Sequence, residues 1–215
     1  MSTDYSGQFQ NQNSELSGTL QQKGRLDDFI KIYDQVVSDE LCQRMIDLLS
    51  TDKKYYHDRD YLRREEVSVN PYVFPEVFED LKNNVKEVYQ RYKNDTAPLS
   101  SNLFQANTYE FPVVVGYKPS PDKKELFADH ADSWHNDSAT RQVSIIMYLS
   151  TVQEGGGTYF PMLDLRVQPV KGRVLLFPSY FMYMHRAEPP ISDVKYVCIS
   201  WMHFDGPTKY LSVKI

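Results

Sequence analysis

The sequence predicts a mainly β protein with flanking helices (α+β), in which a double-sheet jelly roll is buttressed by helices near the N-terminus. After residue 95, short apolar or alternating runs follow one another and are separated by Gly, Pro, Asp or Ser, as expected for short strands. Before that point, two segments carry apolar residues at helical spacing. Aromatic residues make up 13% of the chain, with 16 Tyr and 11 Phe, and these residue types favour sheets.

The predicted strands of the jelly roll lie in the second half of the chain. Their boundaries are 113–119, 125–132, 141–150, 158–169, 172–179, 181–187 and 195–204. Residues 1–24 are rich in Gln, Asn, Ser and Gly, and we expect them to form a disordered arm. The remainder, residues 25–215, is expected to form a single domain, in which 25–98 supports a core formed by 99–215.

The support region is expected to combine one strand with two helices. Alternation predicts a strand over 29–37, and Ser38 is placed to cap a helix with acidic residues in its first turn. A second helix is predicted to begin at Pro75, a residue type common in the first turn. Between the helices, residues 53–74 allow two interpretations: a loop that covers a site, or a solvated surface.

Composition excludes several classes of protein. The formal net charge is −5 and no concentrated run of Lys or Arg is present, which argues against nucleic acid as the main partner. No apolar run reaches the roughly 18 residues of a membrane span, and the N-terminus does not have the profile of a signal peptide. Cys42 and Cys198 are expected to be reduced core residues, and the protein is expected to be cytoplasmic.

A candidate metal site lies in the stretch DHADSWHND, which contains the pattern His-x-Asp twice. Residues i and i+2 of a strand point to the same face, so each pattern offers an imidazole and a carboxylate together. His130 and Asp132 follow an apolar run, whereas His135 and Asp137 lie among Ser, Asn and Asp, a composition typical of loops. The first pair is therefore the predicted metal-binding pair.

His185 lies in a mostly apolar run and is the candidate third ligand. Two histidines and one carboxylate form the facial triad that holds non-haem Fe(II) and leaves positions open. Zinc more often has a third histidine or a cysteine, and His203 lies outside this pattern. The alternative interpretation is that His185 is an ordinary hydrogen-bonded histidine of the core.

Lys195 opens an apolar strand ten residues after His185. A lysine that points into a barrel is costly unless its ammonium meets an anion, and a cosubstrate with a distal carboxylate would supply one. The alternative is a lysine at the strand end in solvent.

Together with their surrounding segments, His130, Asp132, His185 and Lys195 resemble the motifs of the 2-oxoglutarate- and Fe(II)-dependent dioxygenases, and in particular those of the prolyl 4-hydroxylase-like group. The resemblance spans about residues 105–205 and rests on the order and spacing of several segments. These are FADHAD, RQVSIIMYL, GGGTYFP, VQPVKGRVLLFPS, His185, Lys195 and the closing SWMHF.

The resemblance implies a double-stranded β-helix (jelly-roll, cupin-like) core and an enzymatic function. His130, Asp132 and His185 would bind Fe(II), with 2-oxoglutarate as the cosubstrate and ascorbate as an optional additional cofactor. The reaction would consume O2, hydroxylate a prolyl or other side chain of a peptide or protein, and release succinate and CO2.

The resemblance also assigns residues of the cosubstrate pocket and of the substrate site. Lys195 would pair with the distal carboxylate of 2-oxoglutarate, together with the hydroxyl of Tyr148. Tyr117 would line the same pocket. Arg141 and Trp201 would contact the substrate.

Three alternatives stay open at the level of sequence. The jelly roll could be a cupin-like binding or structural module without turnover, or a dioxygenase that acts on a small molecule. A change of reaction to halogenation is disfavoured, because the carboxylate of Asp132 occupies the position that a halide would need. The substrate and the oligomeric state are not indicated by any motif.

Overall fold

The computed structural model describes residues 24–59, 62–99, 105–120, 128–204 and 211–215. Within these ranges the chain is mainly antiparallel β structure, with two α-helices, as the sequence predicts. The helices are α1 (Asp39–Asp47) and α2 (Pro75–Thr96). The strands are β1 (Lys31–Tyr33), β2 (Tyr55–Arg59), β3 (Leu62–Ser68), β4 (Thr108–Glu110), β5 (Val113–Tyr117), β6 (Arg141–Tyr148), β7 (Thr158–Phe160), β8 (Leu165–Val167), β9 (Val174–Pro178), β10 (Arg186–Ala187), β11 (Lys195–His203) and β12 (Ser212–Lys214).

Two sheets of unequal size form the core of the fold. In the described residues the larger sheet has nine strands in the order β1-β9-β6-β11-β5-β3-β2, with β4 paired to β11 and β12. The smaller sheet has the order β10-β7-β8. All of these pairings are antiparallel, and β11 is the central strand because it pairs with β4, β5 and β6.

The two helices begin where the sequence predicts and pack on one face of the larger sheet. The side chain of Ser38 accepts a hydrogen bond from the backbone N–H of Leu41, which caps α1, and Pro75 occupies the first turn of α2. Leu81 and Val85 of α2 are completely buried in a large apolar core. That core also contains buried residues of β5, β6, β9 and β11, so it fixes the position of the sheet.

A second apolar cluster lies on the opposite face of the larger sheet. It contains Phe177 of β9, Tyr148 of β6 and Phe160 of β7, all fully buried. Side chains along a strand alternate between faces, so the same strands supply both clusters. The space on this second face contains the candidate site.

The turn before β7 depends on glycine. Gly155 and Gly156 have φ of 75° and 72°, in the left-handed region that residues with a side chain rarely adopt. A Cβ at Gly155 would also collide with the backbone carbonyl of Pro189. These glycines therefore let the chain reverse tightly and place Thr158 at the start of β7.

Several predicted strands have different boundaries. The strand predicted over 29–37 covers only Lys31–Tyr33, because Gln35 takes a positive φ of 58° and the chain turns. The strand predicted over 158–169 is two strands, since the chain reverses at Asp164, whose φ is 48°. The predicted strand 181–187 begins with a short 3-10 helix over Phe181–Tyr183 and has only two residues in β10.

The segment between the helices is neither a simple loop nor an unstructured surface. It contains the hairpin β2–β3, and β3 extends the larger sheet by pairing with β5. Charged residues on β3 hide the strand pattern. Most of the predicted arm 1–24, and residues 125–127 of the predicted strand 125–132, lie outside the described residues.

Both cysteines, Cys42 and Cys198, are buried free thiols. Burial raises the pKa of each thiol, which fits the predicted role as inert core residues. In the part of the chain that the structure describes, neither helix has the length and apolar character required to cross a membrane.

Candidate active site

The imidazoles of His130 and His185 and the carboxylate of Asp132 come together at the wall of one cavity. Their candidate ligand atoms all lie within 4.8 Å of one another. An isolated antiparallel bridge holds the two histidines, because each backbone N–H donates to the carbonyl of the other, at 3.0 and 2.9 Å. The pair predicted from the first His-x-Asp is thus joined by the third predicted residue.

Backbone carbonyls orient both imidazoles toward the carboxylate. Nδ1 of His130 lies 3.0 Å from the carbonyl of Ala128, and Nδ1 of His185 lies 3.1 Å from that of Tyr183. A carbonyl oxygen can only accept, so both Nδ1 atoms carry the proton and both Nε2 atoms keep a lone pair. These Nε2 atoms lie 3.6 Å and 3.8 Å from the carboxylate oxygens of Asp132.

The shifted pKa values of Asp132 and His185 favour metal binding, because they keep the carboxylate ionised and that imidazole neutral. Burial would raise the pKa of Asp132, but the neighbouring histidines and a hydrogen bond from Ser144 outweigh it and hold that pKa well below its usual range. Burial lowers the pKa of His185, whereas for His130 burial is outweighed by Asp132 and the pKa rises. An ionised carboxylate between oriented imidazoles is a ready set of ligands.

Two imidazole nitrogens and one carboxylate fit non-haem iron and do not complete a closed, structural zinc site. A closed zinc site needs a fourth protein ligand. His203, the only candidate for it in the sequence, is not a member of the cluster found among the described residues. The donor set therefore matches the open facial triad of Fe(II) oxygenases.

The cavity next to the triad has a volume of about 620 Å³ and contains Lys195 in its wall. The lysine is only 2% exposed, and in the described ranges no hydrogen bond or ion pair links its ammonium to another residue. Burial lowers its pKa to about 7, which Glu188 opposes only in part. A buried cationic group that faces a cavity is a binding site for an anion.

The predicted tyrosines lie on either side of Lys195. Its Nζ is 5.9 Å from the ring centroid of Tyr117 and equally far from that of Tyr148. Tyr117 lies directly across from Lys195 in the ladder between β5 and β11 and lines the cavity. The hydroxyl of Tyr148 lies 2.7 Å from that of Thr158, and Thr158 also lines the cavity.

Arg141 and Trp201 also line the cavity, stacked on one another. The guanidinium carbon of Arg141 lies 3.5 Å from the centroid of the indole. The same guanidinium forms a bidentate ion pair with the buried carboxylate of Glu110, at 2.9 and 2.6 Å. Arg141 therefore has a structural partner whether or not it also contacts a substrate.

Trp134 and His135, which separate the two His-x-Asp patterns, are exposed and line the cavity. Trp134 is 60% exposed. His135 precedes a short 3-10 helix over Asn136–Ser138 and lies outside the metal-binding cluster. They belong to the rim of the cavity.

Sequence reasoning missed three polar residues of this site. Thr158 belongs to the quoted segment GGGTYFP, but no role was predicted for it. Ser144 lies two and four residues before Ile146 and Tyr148 in β6, so strand alternation would have placed it on the cavity face. Arg64 of β3 lines the cavity, but it could not be found because the hairpin β2–β3 was not predicted.

The sequence of residues 115–203 matches the family model of the 2OG-Fe(II) oxygenase superfamily. This range contains all eight residues that the sequence assigns to metal, cosubstrate and substrate. A comparison with curated proteins finds no significant match.

Several solved structures share the fold. The viral collagen prolyl hydroxylase of Paramecium bursaria Chlorella virus-1, in its 2OG complex, is 21% identical, with a TM-score of 0.64 over 85% of this chain and 100% of that chain. The prolyl hydroxylase of Trichoplax adhaerens, in complex with a peptide of the hypoxia inducible factor oxygen degradation domain, is 16% identical, with a TM-score of 0.64 over 82% and 84%. A prolyl-4-hydroxylase of Pseudomonas putida is 14% identical, with a TM-score of 0.58 over 84% and 97%. The predicted double-stranded β-helix is thereby confirmed: the chain has a prolyl 4-hydroxylase-like fold, and its residues 115–203 match the model of the 2OG-Fe(II) oxygenase superfamily.

Proposed function

We propose that this protein is an Fe(II)- and 2-oxoglutarate-dependent hydroxylase that acts on a prolyl residue of a peptide or protein. The match of residues 115–203 to the model of the 2OG-Fe(II) oxygenase superfamily supports the dependence on iron and 2-oxoglutarate. The prolyl substrate is suggested by the fold shared with prolyl hydroxylases of a virus, an animal and a bacterium.

The position of Lys195 carries the proposal. Its ammonium is buried in the cavity wall without an anionic partner among the described residues, in the same cavity as the three candidate iron ligands. Burying a cation without a partner destabilises the folded protein. A dicarboxylate would relieve this cost with one carboxylate while its other end reaches the metal.

Each part of the cavity has a defined task in this function. Iron and 2-oxoglutarate, once bound, would supply the oxidative chemistry that splits O2 between succinate and a hydroxylated product. The triad residues would hold the metal, with the two histidines fixed to one another by their backbone bridge. Lys195 and the hydroxyls next to it orient the cosubstrate, and the apolar side chains of Ile146, Val197 and Ile199 line the cavity and reduce its access to water.

The open side of the cavity suits a substrate larger than a metabolite. Trp134 extends from the rim with more than half of its surface exposed. An exposed indole is costly in solvent and is well suited to stack on a proline ring or on an extended peptide. These features support a polypeptide substrate rather than a small molecule.

The test is a two-part assay with the full chain. Anaerobic protein with Fe(II) and 2-oxoglutarate is expected to develop the weak visible charge-transfer band of the chelate. A set of proline-containing peptides is then screened for O2-dependent succinate release, with product mass rising by one oxygen. A chain with neither the band nor succinate release is not an oxygenase, and the proposal is then wrong.

Lys195→Ala separates the cosubstrate site from the metal site. We expect 2-oxoglutarate affinity to fall by about 100-fold, because a buried carboxylate loses its charged partner, while Fe(II) affinity is kept. Lys171→Ala is the matched control, since Lys171 lies on the surface and pairs only with Asp39 in the described structure. Equal 2-oxoglutarate affinity in the two variants would exclude the assigned role of Lys195.

A further inference from the structure

Ser144 and Ser179 form a buried hydroxyl pair behind the metal-binding carboxylate. Both serines are 1% exposed, and their Oγ atoms lie 2.9 Å apart. The Oγ of Ser144 donates to Oδ2 of Asp132 at 2.5 Å. The other polar atoms found against this carboxylate in the described residues are the Nε2 atoms of His130 and His185, at 3.6 and 3.8 Å, which is beyond hydrogen-bond distance.

The direction of the hydrogen bonds follows from proton counting. The Oγ of Ser144 donates to Oδ2 of Asp132, so the single proton of Ser144 is committed to that oxygen. Ser144 must then accept from Ser179. Ser179 therefore donates to Ser144, and Ser144 donates to Asp132. Each buried hydroxyl group thus has a hydrogen-bond partner.

Ser179 also holds the main chain next to the ligand. Its carbonyl accepts the N–H of Ser133, the residue after Asp132, at 2.9 Å, and its own N–H donates to Gln142 of β6 at 3.0 Å. Asp132 is thus held through its side chain by Ser144 and through its main chain by the end of β9. Both anchors come from the rigid larger sheet.

Two buried serines are unusual in these surroundings. Within β6, Ser144 shares its face with Ile146, and its partner across the ladder to β9 is Phe177. Apolar residues would pack there without the cost of burying hydroxyl groups. The hydroxyls are explained by what they do to Asp132 rather than by packing.

A carboxylate can bind a metal ion through one oxygen or through both. Both carboxylate oxygens face the imidazoles, with Oδ1 3.6 Å from Nε2 of His130 and Oδ2 3.8 Å from Nε2 of His185. The hydrogen bond from Ser144 takes one lone pair of Oδ2 and withdraws charge from it, so Oδ1 is the better of the two oxygens for binding the metal. We propose that Ser144, supported by Ser179, is a positioning residue that restricts Asp132 to one metal-binding oxygen. This inference rests on the metal site of the proposed function and adds what keeps the remaining coordination positions open.

The number of metal-binding oxygens of Asp132 decides how many coordination positions stay open on the metal ion. A six-coordinate ion with three protein atoms has three positions left, enough for a bidentate cosubstrate and one further ligand. A second oxygen from Asp132 would reduce that number by one. The hydroxyl of Ser144 therefore affects cosubstrate binding without touching the cosubstrate.

The test counts the water molecules on bound Mn(II), used as a probe of the metal site without turnover. Water-proton relaxation is measured on the full chain loaded with Mn(II), and Mn(II) affinity is measured by EPR titration. We expect about three exchangeable waters in the wild-type protein and about one fewer in Ser144→Ala, because Oδ2 becomes free to bind. We also expect Mn(II) affinity to change by roughly tenfold in Ser144→Ala.

Two variants and one control make the result specific. Ser144→Thr keeps the hydroxyl and is expected to restore the wild-type water number. Ser179→Ala is expected to lower the water number below that of the wild type, and to change Mn(II) affinity, by less than Ser144→Ala does. Ser200→Ala is the matched control, because Ser200 is a fully buried serine on β11 whose hydroxyl donates to the backbone carbonyl of Glu110 and not to a metal ligand. It is expected to lose stability without a change in water number.

The outcomes distinguish this inference from the proposed function. An unchanged water number in Ser144→Ala, with or without a change in affinity, overturns the positioning role of Ser144 and leaves the iron site standing. If the wild-type protein binds no Mn(II), or if His130→Ala binds it as well as wild type, the metal site itself is wrong. If Ser144→Ala does not fold, the water number of Ser179→Ala decides, and a value equal to that of Ser200→Ala overturns the proposal.

Discussion

The two faces of the larger sheet are made by alternate residues of the same strands, yet they differ in character. In β6, Val143, Ile145 and Met147 join the apolar core beneath the helices. On the opposite face, the same strand presents Ser144 and Tyr148, which hydrogen-bond within or beside the cavity. The helix side therefore stabilises the fold, whereas the cavity side accepts buried polar groups for the sake of binding. Substitutions on the helix side should therefore lower stability, and substitutions on the cavity side should lower binding.

The largest expected effect is on the cavity side, at the metal ligands. His130→Ala and Asp132→Ala are each expected to lower Fe(II) affinity by more than about 100-fold and to abolish succinate release, because the triad has no spare ligand among the described residues. His135→Ala is the matched control from the second His-x-Asp pattern and should keep iron. Iron content after dialysis measures the difference, and loss of iron in the His135 variant instead would reverse the assignment of the two pairs.

The next effect is on the helix side. Phe78 of α2 is 1% exposed and packs edge-on against Phe111, with ring centroids 5.5 Å apart. Phe78→Ala is expected to lower the free energy of unfolding by about 3–5 kcal/mol through lost burial and a residual cavity. Urea unfolding measures this loss.

If the helix side only stabilises the fold, Phe78→Ala should leave the affinity for 2-oxoglutarate unchanged. Below its unfolding transition, the variant should bind 2-oxoglutarate as tightly as the wild-type protein. Weaker binding by the folded variant would mean that the helix side also shapes the cavity.

The smallest effect is a pH dependence on the cavity side. The pKa of Lys195 is lowered to about 7 by burial, so its ammonium is largely neutral above that pH in the protein without cosubstrate. A carboxylate binds the charged form, so affinity for 2-oxoglutarate should be constant below about pH 7 and fall by about tenfold per pH unit above it. Calorimetry of 2-oxoglutarate binding to Mn(II)-loaded protein, in buffers of different ionisation enthalpy, should show proton uptake near pH 8 and little near pH 6.

Lys195→Arg is the control for this titration, because a guanidinium stays charged throughout the range. Its affinity should show no fall above pH 7. A wild-type protein with the flat profile of the arginine variant would show that Lys195 is charged before the cosubstrate arrives.

Residues whose role depends on local pattern could be predicted from the sequence, whereas residues placed by distant pairing could not. Alternation and spacing identified His130 and Asp132 and the helix that begins at Pro75. The hairpin β2–β3 was missed because its inner strand, β3, is rich in charged residues, and the place of β3 beside β5 depends on a long-range pairing that no local pattern encodes. Ser179 was missed for a similar reason, since its relation to Asp132 arises only when β9 pairs with β6.

The single β-bridge between His130 and His185 gives the metal a second role, as a cross-link. The two histidines lie far apart along the chain and are joined directly by two backbone hydrogen bonds and by the contact of their rings, whose centroids lie 4.4 Å apart. An ion bound to both closes the long segment between them, and it can do so only in the folded chain. By mass action, a metal ion present at about 100 times its dissociation constant adds about 2.7 kcal/mol to the folded state. Iron supply would thus set the lifetime of this protein as well as its activity.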